Sequence, residues 1–297
     1  MKSRKRLIAV VGSVAILASP APAHAWGFEA HAFIMARAID LLPPEIRPFF
    51  EANRTFLVEH TIDPDLWRTA GFIEEAPRHF IDIDAYGKYP FSELPRDYGA
   101  ALEKYGAQML SRNGLLPWRT AEVVGWLRRA FEQLPKGSQD APNDAKFFSA
   151  VLTHYVADGH VPFHAVTNYD GQLSGQNGIH LRWEGELFTR YQQRLSIKPA
   201  PVHAIPNMRD FMFGTLLTGF QLTQSVLDAD RAAIGTRDEY DDRYFDAFFA
   251  ATRPVLERRL NESITAVASA ITSAWEQAGR PAVAVTPAKR VERRRPR

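Results

Sequence analysis

The sequence predicts an all-α fold arranged as a single multi-helix domain. Apolar residues recur at helical spacing through most of the chain, and no alternating strand pattern of useful length competes with them. Breaks rich in proline and glycine separate these segments, and they are too short to suggest several domains. We find no internal repeat.

The predicted helices follow one another along the chain. They are expected in AFIMARAIDLL, YGAALEKYGAQML, TAEVVGWLRRAFEQL, AKFFSAVLTHYVAD, IHLRWEGELFTRYQQRL and a long stretch from Met208 to about Trp275. The breaks fall at residues 43–44, 87–95, 135–142, 170–178 and 198–206.

The N-terminus has the pattern of a secretory signal peptide. MKSRKR is followed by the apolar run LIAVVGSVAILA and by SPAPAHA, whose Ala23 and Ala25 suit a signal-peptidase cut. The 12-residue run is shorter than the ~20 residues that a membrane-spanning helix needs. We therefore expect residues 1–25 to be removed, and an exported periplasmic or extracellular protein that begins at Trp26 and has no permanent membrane span.

Composition limits the class of protein further. The chain has no cysteine, so neither disulfides nor thiolate chemistry is available. Residues 26–281 are assigned to the helical domain and residues 282–297 to a basic, disordered tail. Residues 26–288 hold 26 basic against 33 acidic side chains, a net charge of −7. A body this acidic has no obvious phosphate-binding stripe unless bound cations reverse its charge locally.

Two histidine and carboxylate pairs at helical spacing suggest a metal site. His154 and Asp158 are four residues apart on a predicted helix, which places both side chains on one face. His164 follows after a proline-containing break, and His180 with Glu184 repeats the four-residue spacing. One such pair is more often structural, but two pairs and a further histidine favour metal binding.

Three more candidate ligands precede these pairs. His31 begins the first helix, and Asp65 and His79 flank a turn-rich segment. The five imidazoles and three carboxylates are the nitrogen and oxygen donors that zinc prefers. Because eight side chains exceed the needs of one ion, we expect a cluster of two or three ions in a cleft between helices.

In this order and spacing, the motifs resemble the superfamily that joins zinc-dependent phospholipase C with the single-strand-specific zinc nucleases. The resemblance extends from Trp26 to about Glu184. It is carried by Trp26, His31, DLWR with Asp65, HFID with His79, HYVAD with His154 and Asp158, His164, and HLRWE with His180 and Glu184.

The resemblance implies three zinc ions. Their expected ligands are Asp65, His79, His154 and Asp158 for the first; His164, His180 and Glu184 for the second; and the α-amino group and carbonyl of Trp26, His31 and a bridging Asp158 for the third. Because signal cleavage would create one of these ligands, the uncut precursor should lack a complete third site.

The resemblance also implies hydrolysis of a phosphodiester by zinc-activated water, with Asp65 orienting or deprotonating that water. Two substrate classes stay open, a phospholipid head group and single-stranded nucleic acid. Phe80 and Asp82 resemble a base-stacking aromatic and a base-binding aspartate of the nucleases, although Phe80 could equally be a core residue. Glu184 in place of the aspartate usual in nucleases and the short loop before His180 favour the phospholipases.

A different class of function also fits the composition. An exported, non-catalytic helical protein could use structural zinc in place of disulfides. Structural zinc sites have four protein ligands, whereas the second predicted site has three, which favours an enzyme. We expect a monomer, and we interpret His60, His160 and His203 as surface groups or as groups that support the ligands.

Overall fold

Helices joined by turns and loops make up residues 27–285, the part of the chain that the computed structural model describes, and no β-strand occurs among them. The predicted all-α fold is confirmed. In chain order the α-helices are α1 (Phe28–Leu41), α2 (Arg47–Ala52), α3 (Arg54–Glu59), α4 (Asp63–Thr69), α5 (Tyr98–Asn113), α6 (Leu116–Gln133), α7 (Ala141–Asp158), α8 (Ile179–Leu181), α9 (Leu187–Tyr191), α10 (Met208–Ile234) and α11 (Asp242–Gln277).

Four of the predicted segments lie within α1, α5, α6 and α7 to within a residue, and the segment from Ile179 is divided into α8, a π-helical turn, α9 and a 3₁₀ turn. Two further differences stand out. The long stretch after Met208 is two helices, because the chain turns at Gly235, whose φ is 52°. The short helices α2, α3 and α4 are absent from the sequence prediction. Pro48 and Pro64 lie in the first turns of α2 and α4, where a proline is accepted because its missing N–H has no helical partner.

The final halves of α7 and α11 form the centre of the bundle. Every residue from 149 to 158 and from 263 to 275 is buried, as expected for helices that are surrounded on all sides. Helix α6 packs along α7, α10 packs against α6 and α11, and α1 packs against both α7 and α11. The buried apolar side chains form one cluster that runs from Ala30 to Trp275.

The chain turns sharply at the end of α7. A β-carbon at Gly159 would lie 2.1 Å from Cε of Met212 in α10, so this position has no room for a side chain unless Met212 moves. Pro162 then opens a 3₁₀ turn, Pro162–Ala165, that packs on α10. This reversal brings His164 back beside the last turn of α7.

Arg259 of α11 stabilises this turn through hydrogen bonds to backbone carbonyl oxygens. Its guanidinium is buried and donates to the carbonyl oxygens of Gly159 at 3.2 Å, His160 at 2.7 Å and Thr215 at 3.1 Å. It also pairs with Glu262 at 2.6 Å. Burial lowers the pKa of Arg259 to about 10, so the side chain stays charged at neutral pH.

The segment that carries His79 is fixed on two sides. Its Ile81 N–H donates to the carbonyl oxygen of His164 at 2.9 Å. On the other side the α5–α6 turn lies so close that a β-carbon at Gly114 would be 2.1 Å from the Phe80 carbonyl oxygen. Gly114 also has a φ of +93°, which favours glycine.

The ends of the predicted domain lie at or beyond the limits of the structure. Residues 1–26 and 286–297 are outside the described residues, and with them the signal peptide, Trp26 and most of the basic tail. The assignment of residues 26–281 to one domain stays a prediction. Among the described helices, none combines the length and apolar character needed to cross a membrane.

We expect Arg259→Met to destabilise the fold strongly. The change would leave three carbonyl oxygens around the end of α7 without their donor, and we expect a loss of about 3 kcal/mol in the free energy of unfolding. Chemical denaturation followed by circular dichroism measures it. Arg258→Met is the matched control, because Arg258 is exposed and pairs with the same Glu262, and it should cost less than about 1 kcal/mol. Equal losses in both variants would contradict the role of Arg259.

Candidate metal centre

Eight of the predicted ligands are buried together around the last turn of α7. None of these residues is more than 9% exposed. They are His31 of α1, Asp65 of α4, His79 of the segment between α4 and α5, His154 and Asp158 of α7, His164 of the following 3₁₀ turn, and His180 and Glu184 of the helical segment 179–191. The ninth, Trp26, lies outside the described residues.

The first group of donor atoms surrounds one oxygen of Asp158. Its Oδ2 lies 3.1 Å from Nδ1 of His79 and 3.3 Å from Nε2 of His154, and these two nitrogens are 3.0 Å apart. Ligands placed tetrahedrally at zinc bond lengths are separated by about 3.3 Å. The carboxylate of Asp65 lies next to this group, with Oδ1 at 3.9 Å from Nδ1 of His79. The spacing therefore suits one zinc ion.

The other oxygen of Asp158 faces His31. Its Oδ1 lies 3.5 Å from Nε2 of His31, whose ring stacks on that of His154 with centroids 4.2 Å apart. The donor atoms of His31, Asp65 and His154 all lie within 4.8 Å of one another. Asp158 is thus placed to bridge two positions.

A second group of donor atoms consists of His164, His180 and Glu184. Nε2 of His180 is 3.1 Å from Oε2 of Glu184, and Nε2 of His164 is 3.8 Å from the same oxygen. Glu184 belongs to a π-helical turn, Arg182–Glu186, and such turns are frequent at functional sites. Nδ1 of His164 is 4.0 Å from Oδ2 of Asp158, so the two groups adjoin.

Backbone carbonyls orient two of the imidazoles. Nδ1 of His154 donates to the carbonyl oxygen of Thr61 at 2.9 Å, and Nδ1 of His164 donates to that of His79 at 2.5 Å. In each ring the Nδ1 proton is therefore used, and Nε2 is the nitrogen that faces the cluster. Hydrogen bonds of this kind fix the tautomer of metal-binding histidines.

Burial and charge act in opposite directions on the pKa values. Burial lowers the pKa of His154, but the charge of Asp158 and their hydrogen bond outweigh it and raise the pKa to about 9. Burial would raise the pKa of Asp158, yet the charge of His154 and hydrogen bonds from His154 and His79 hold it well below its usual range. Burial dominates at the second group, where it lowers the pKa of His164 and brings that of His180 to about 4. These two imidazoles are neutral at neutral pH, as metal binding requires.

The donor set fits zinc. Within residues 27–285, five further donor atoms of the cluster are buried without a hydrogen bond of acceptable geometry: Oδ2 of Asp65, Nε2 of His79, Oδ1 of Asp158, Nε2 of His164 and Nε2 of His180. Buried polar atoms without a partner are costly, and a metal ion in their midst would satisfy them. Imidazole nitrogens and carboxylate oxygens are also the zinc ligands expected where no thiolate is present.

Glu75 is a buried residue of the site that the sequence analysis did not single out. Its Oε1 accepts a hydrogen bond from the hydroxyl of Tyr155 and lies 3.8 Å from Nε2 of His79. Its Oε2 pairs with Arg78 at 2.7 Å. Glu75 therefore faces the ring nitrogen of His79 that points away from Asp158. The four-residue spacing from Glu75 to His79 was the available signal.

The metal groups open onto a cleft of about 400 Å³. Phe80 and Asp82, the predicted substrate contacts, lie on its wall, and both are half-buried rather than part of the core. Burial, with the charge of Asp84, raises the pKa of Asp82 to about 7. The sequence analysis did not assign three further residues of the wall, Arg68, Arg112 and Tyr169.

The remaining histidines lie outside the metal groups. Nδ1 of His60 is 2.8 Å from Asp63, and Nδ1 of His203 lies 3.3 Å from the hydroxyl of Ser269. His160 is buried and donates to the carbonyl oxygen of Val156 at 2.7 Å. It supports the end of α7 through the backbone.

We expect Glu75→Gln to weaken zinc binding by about tenfold, because a carboxylate near the second nitrogen of a metal-binding histidine raises the basicity of the ring. Competition with a chromophoric chelator measures the zinc affinity. Glu74→Gln is the control, since Glu74 is the exposed neighbour and should leave the affinity unchanged. An unchanged affinity in the Glu75 variant would exclude this role.

Comparison with known proteins agrees with this geometry. The family described as zinc dependent phospholipase C matches residues 30–239, which include all eight described donor residues. No curated protein gives a significant match. The match covers more than half of the chain and the donor set fits zinc, so the chain belongs to the zinc dependent phospholipase C family.

Proposed function

We propose that the protein is an exported phosphodiesterase that holds three zinc ions and hydrolyses phospholipids as a phospholipase C. One observation carries this proposal: eight buried donor residues form adjoining groups around Asp158 and open onto a cleft that also contains two arginines. The family supports a zinc-dependent hydrolase of phosphoesters. Export rests on the sequence of residues 1–25.

Two of the donor groups support the proposed ligand sets. His79, His154 and Asp158 lie together and would hold the first ion with Asp65, and His164, His180 and Glu184 would hold the second. His31, with Asp158 as a bridge, would hold the third together with the terminal amino group and carbonyl of Trp26. Three protein ligands at the second site leave a position for an exchangeable ligand, which is typical of catalytic zinc.

Zinc bound here would supply Lewis acidity and a water of lowered pKa. The side chains of the protein would bind the phosphate and position the attacking water. The guanidinium groups of Arg68 and Arg112 line the cleft and can donate to phosphate oxygens. Arg68 donates to Oδ1 of Asp65 at 3.0 Å and so holds this carboxylate in place. We propose that Asp65, besides being a ligand of the first ion, orients or deprotonates the attacking water.

Single-stranded nucleic acid is the second candidate substrate. Phe80 and Asp82 support it, because both line the cleft and could stack on a base and hydrogen-bond its edge. The pKa of Asp82, raised to about 7, lets this carboxyl either donate or accept a hydrogen bond near neutral pH. The family match favours phospholipid.

Hydrolysis of mixed phospholipid vesicles and of single-stranded DNA by the zinc-loaded, signal-free protein tests the proposal. We expect turnover of phospholipid, and a more than 100-fold loss with His164→Ala, since metal ligands matter at least as much as their supporting groups. His203→Ala lies outside the metal groups and is the control. Turnover of DNA alone would favour the nuclease. Full zinc loading without turnover of either substrate would instead favour the structural role for zinc.

Zinc affinity should rise with pH up to about 9. The metal-free protein keeps His154 protonated below its raised pKa of about 9, and zinc binds only the neutral imidazole. Below that pH, zinc must displace the proton, so affinity should increase up to about tenfold per pH unit and then level off. Calorimetry in two buffers of different ionisation enthalpy measures the released protons. An affinity that is constant between pH 6 and 9 would contradict a protonated His154.

A further inference from the structure

Exposed apolar side chains occur in the two segments that contribute residues to the wall of the cleft. Twelve large apolar residues are exposed within residues 27–285, and six of them belong to two segments that border the cleft. We call these six the apolar rim: Leu66 (45% exposed), Phe72 (61%), Ile73 (79%), Tyr169 (51%), Leu173 (72%) and Leu181 (38%).

Residues of the cleft wall fix the position of the rim. Arg68 and Ala76 line the cleft on one side, and Phe72 and Ile73 lie in the loop that joins them. On the other side Tyr169 is itself part of the wall, and Leu173 lies in the loop between it and His180. The rim therefore flanks the opening through which substrate would reach the donor groups.

Hydrogen bonds within the loops hold these side chains outward. In the first loop the N–H of Phe72 donates to the carbonyl oxygen of Trp67 at 3.1 Å, and that of Glu75 donates to Phe72 at 2.9 Å. In the second, the N–H of Leu173 donates to Oδ1 of Asn168 at 2.8 Å. The apolar groups are displayed by ordered turns, and a cluster of this kind marks an interaction site.

The charge distribution identifies the kind of partner. Residues 69–75 and 169–181 contain no lysine or arginine, and the first of these segments includes the exposed Glu74, whereas Arg68 and Arg112 line the cleft. Asp170 accepts from the backbone N–H of Gly178 at 3.0 Å and so faces its own loop. An extended nucleic acid strand would need cations along its path across the rim. A lipid surface would place acyl chains against an apolar rim and phosphates towards a cationic centre.

We propose that the apolar rim is a docking surface for a phospholipid membrane. The rim inserts shallowly into the membrane and aligns the cleft with the lipid head groups. This inference rests on the proposed phospholipase function and describes how the active site would reach phospholipids in a membrane. Binding to a membrane surface increases with the buried apolar area and with attraction to anionic lipids. The surface should therefore matter for lipid in vesicles and have no effect on a dissolved phosphodiester.

Co-sedimentation with vesicles of phosphatidylcholine and phosphatidylglycerol tests the inference, alongside hydrolysis of dissolved bis(4-nitrophenyl) phosphate. For the double variant Phe72→Ser/Ile73→Ser we expect vesicle binding to fall by about tenfold or more. Hydrolysis of the dissolved ester should stay within about twofold, which also shows that the variant is folded. Leu102→Ser is the matched control, since Leu102 is 37% exposed on α5, ten residues before Arg112, and should change neither result.

The outcomes separate this inference from the proposed function. Binding to vesicles without hydrolysis of any phosphodiester would overturn the phospholipase and leave the docking surface in place. Hydrolysis of the dissolved ester with no vesicle binding, or with equal binding by the double variant, would overturn the docking surface alone. A double variant that loses cleavage of single-stranded DNA, or that dissociates a dimer, while binding vesicles normally would assign the rim to those partners and overturn the inference.

Discussion

The carboxylate of Asp158 is the group on which the rest of the site depends. It is fully buried at the last residue of α7, and the side chains of His31, His79, His154 and His164 reach it from four separate parts of the chain. A buried carboxylate is tolerated only where opposite charges or hydrogen-bond donors compensate it. Here the imidazoles do so, which keeps the group ionised and both of its oxygens directed at other donors. Each oxygen faces a different group, so one side chain fixes the spacing between two candidate ion positions.

This arrangement requires α7 to stop directly after Asp158. Glycine at position 159 lets α10 approach, Pro162 redirects the chain, and Arg259 takes up the carbonyl oxygens that the helix end leaves without partners. The buried arginine is thus linked to the metal centre through the backbone, and it needs no contact with any ligand. A change in α11 could therefore alter the positions of Asp158 and His164 together, because the same turn carries both.

Sequence analysis could predict those parts of the site that local geometry determines. The pairs His154 with Asp158 and His180 with Glu184 follow from the helical repeat, although a π-helical turn contains Glu184. No spacing rule relates His31, Asp65 and His79 to these pairs, since their approach depends on how α1 and α4 pack against α7. Their residue types made them candidates, and the family resemblance assigned them to ions. Glu75 and the apolar rim were missed because exposure and ring orientation are properties of the folded chain.

Some rim residues and some donor residues are neighbours in the same helical turn. In α4 the buried Asp65 is followed by the exposed Leu66, and in the segment after the second loop the buried His180 is followed by the exposed Leu181. Consecutive residues of a helix point about 100° apart, so a turn that directs a donor inward directs its neighbour elsewhere. A membrane bound to the rim would therefore lie at a fixed distance from the donor groups. The apolar side chains would then set the distance between the head groups of a membrane and the cluster around Asp158, and this distance decides which phosphodiester can reach the cluster.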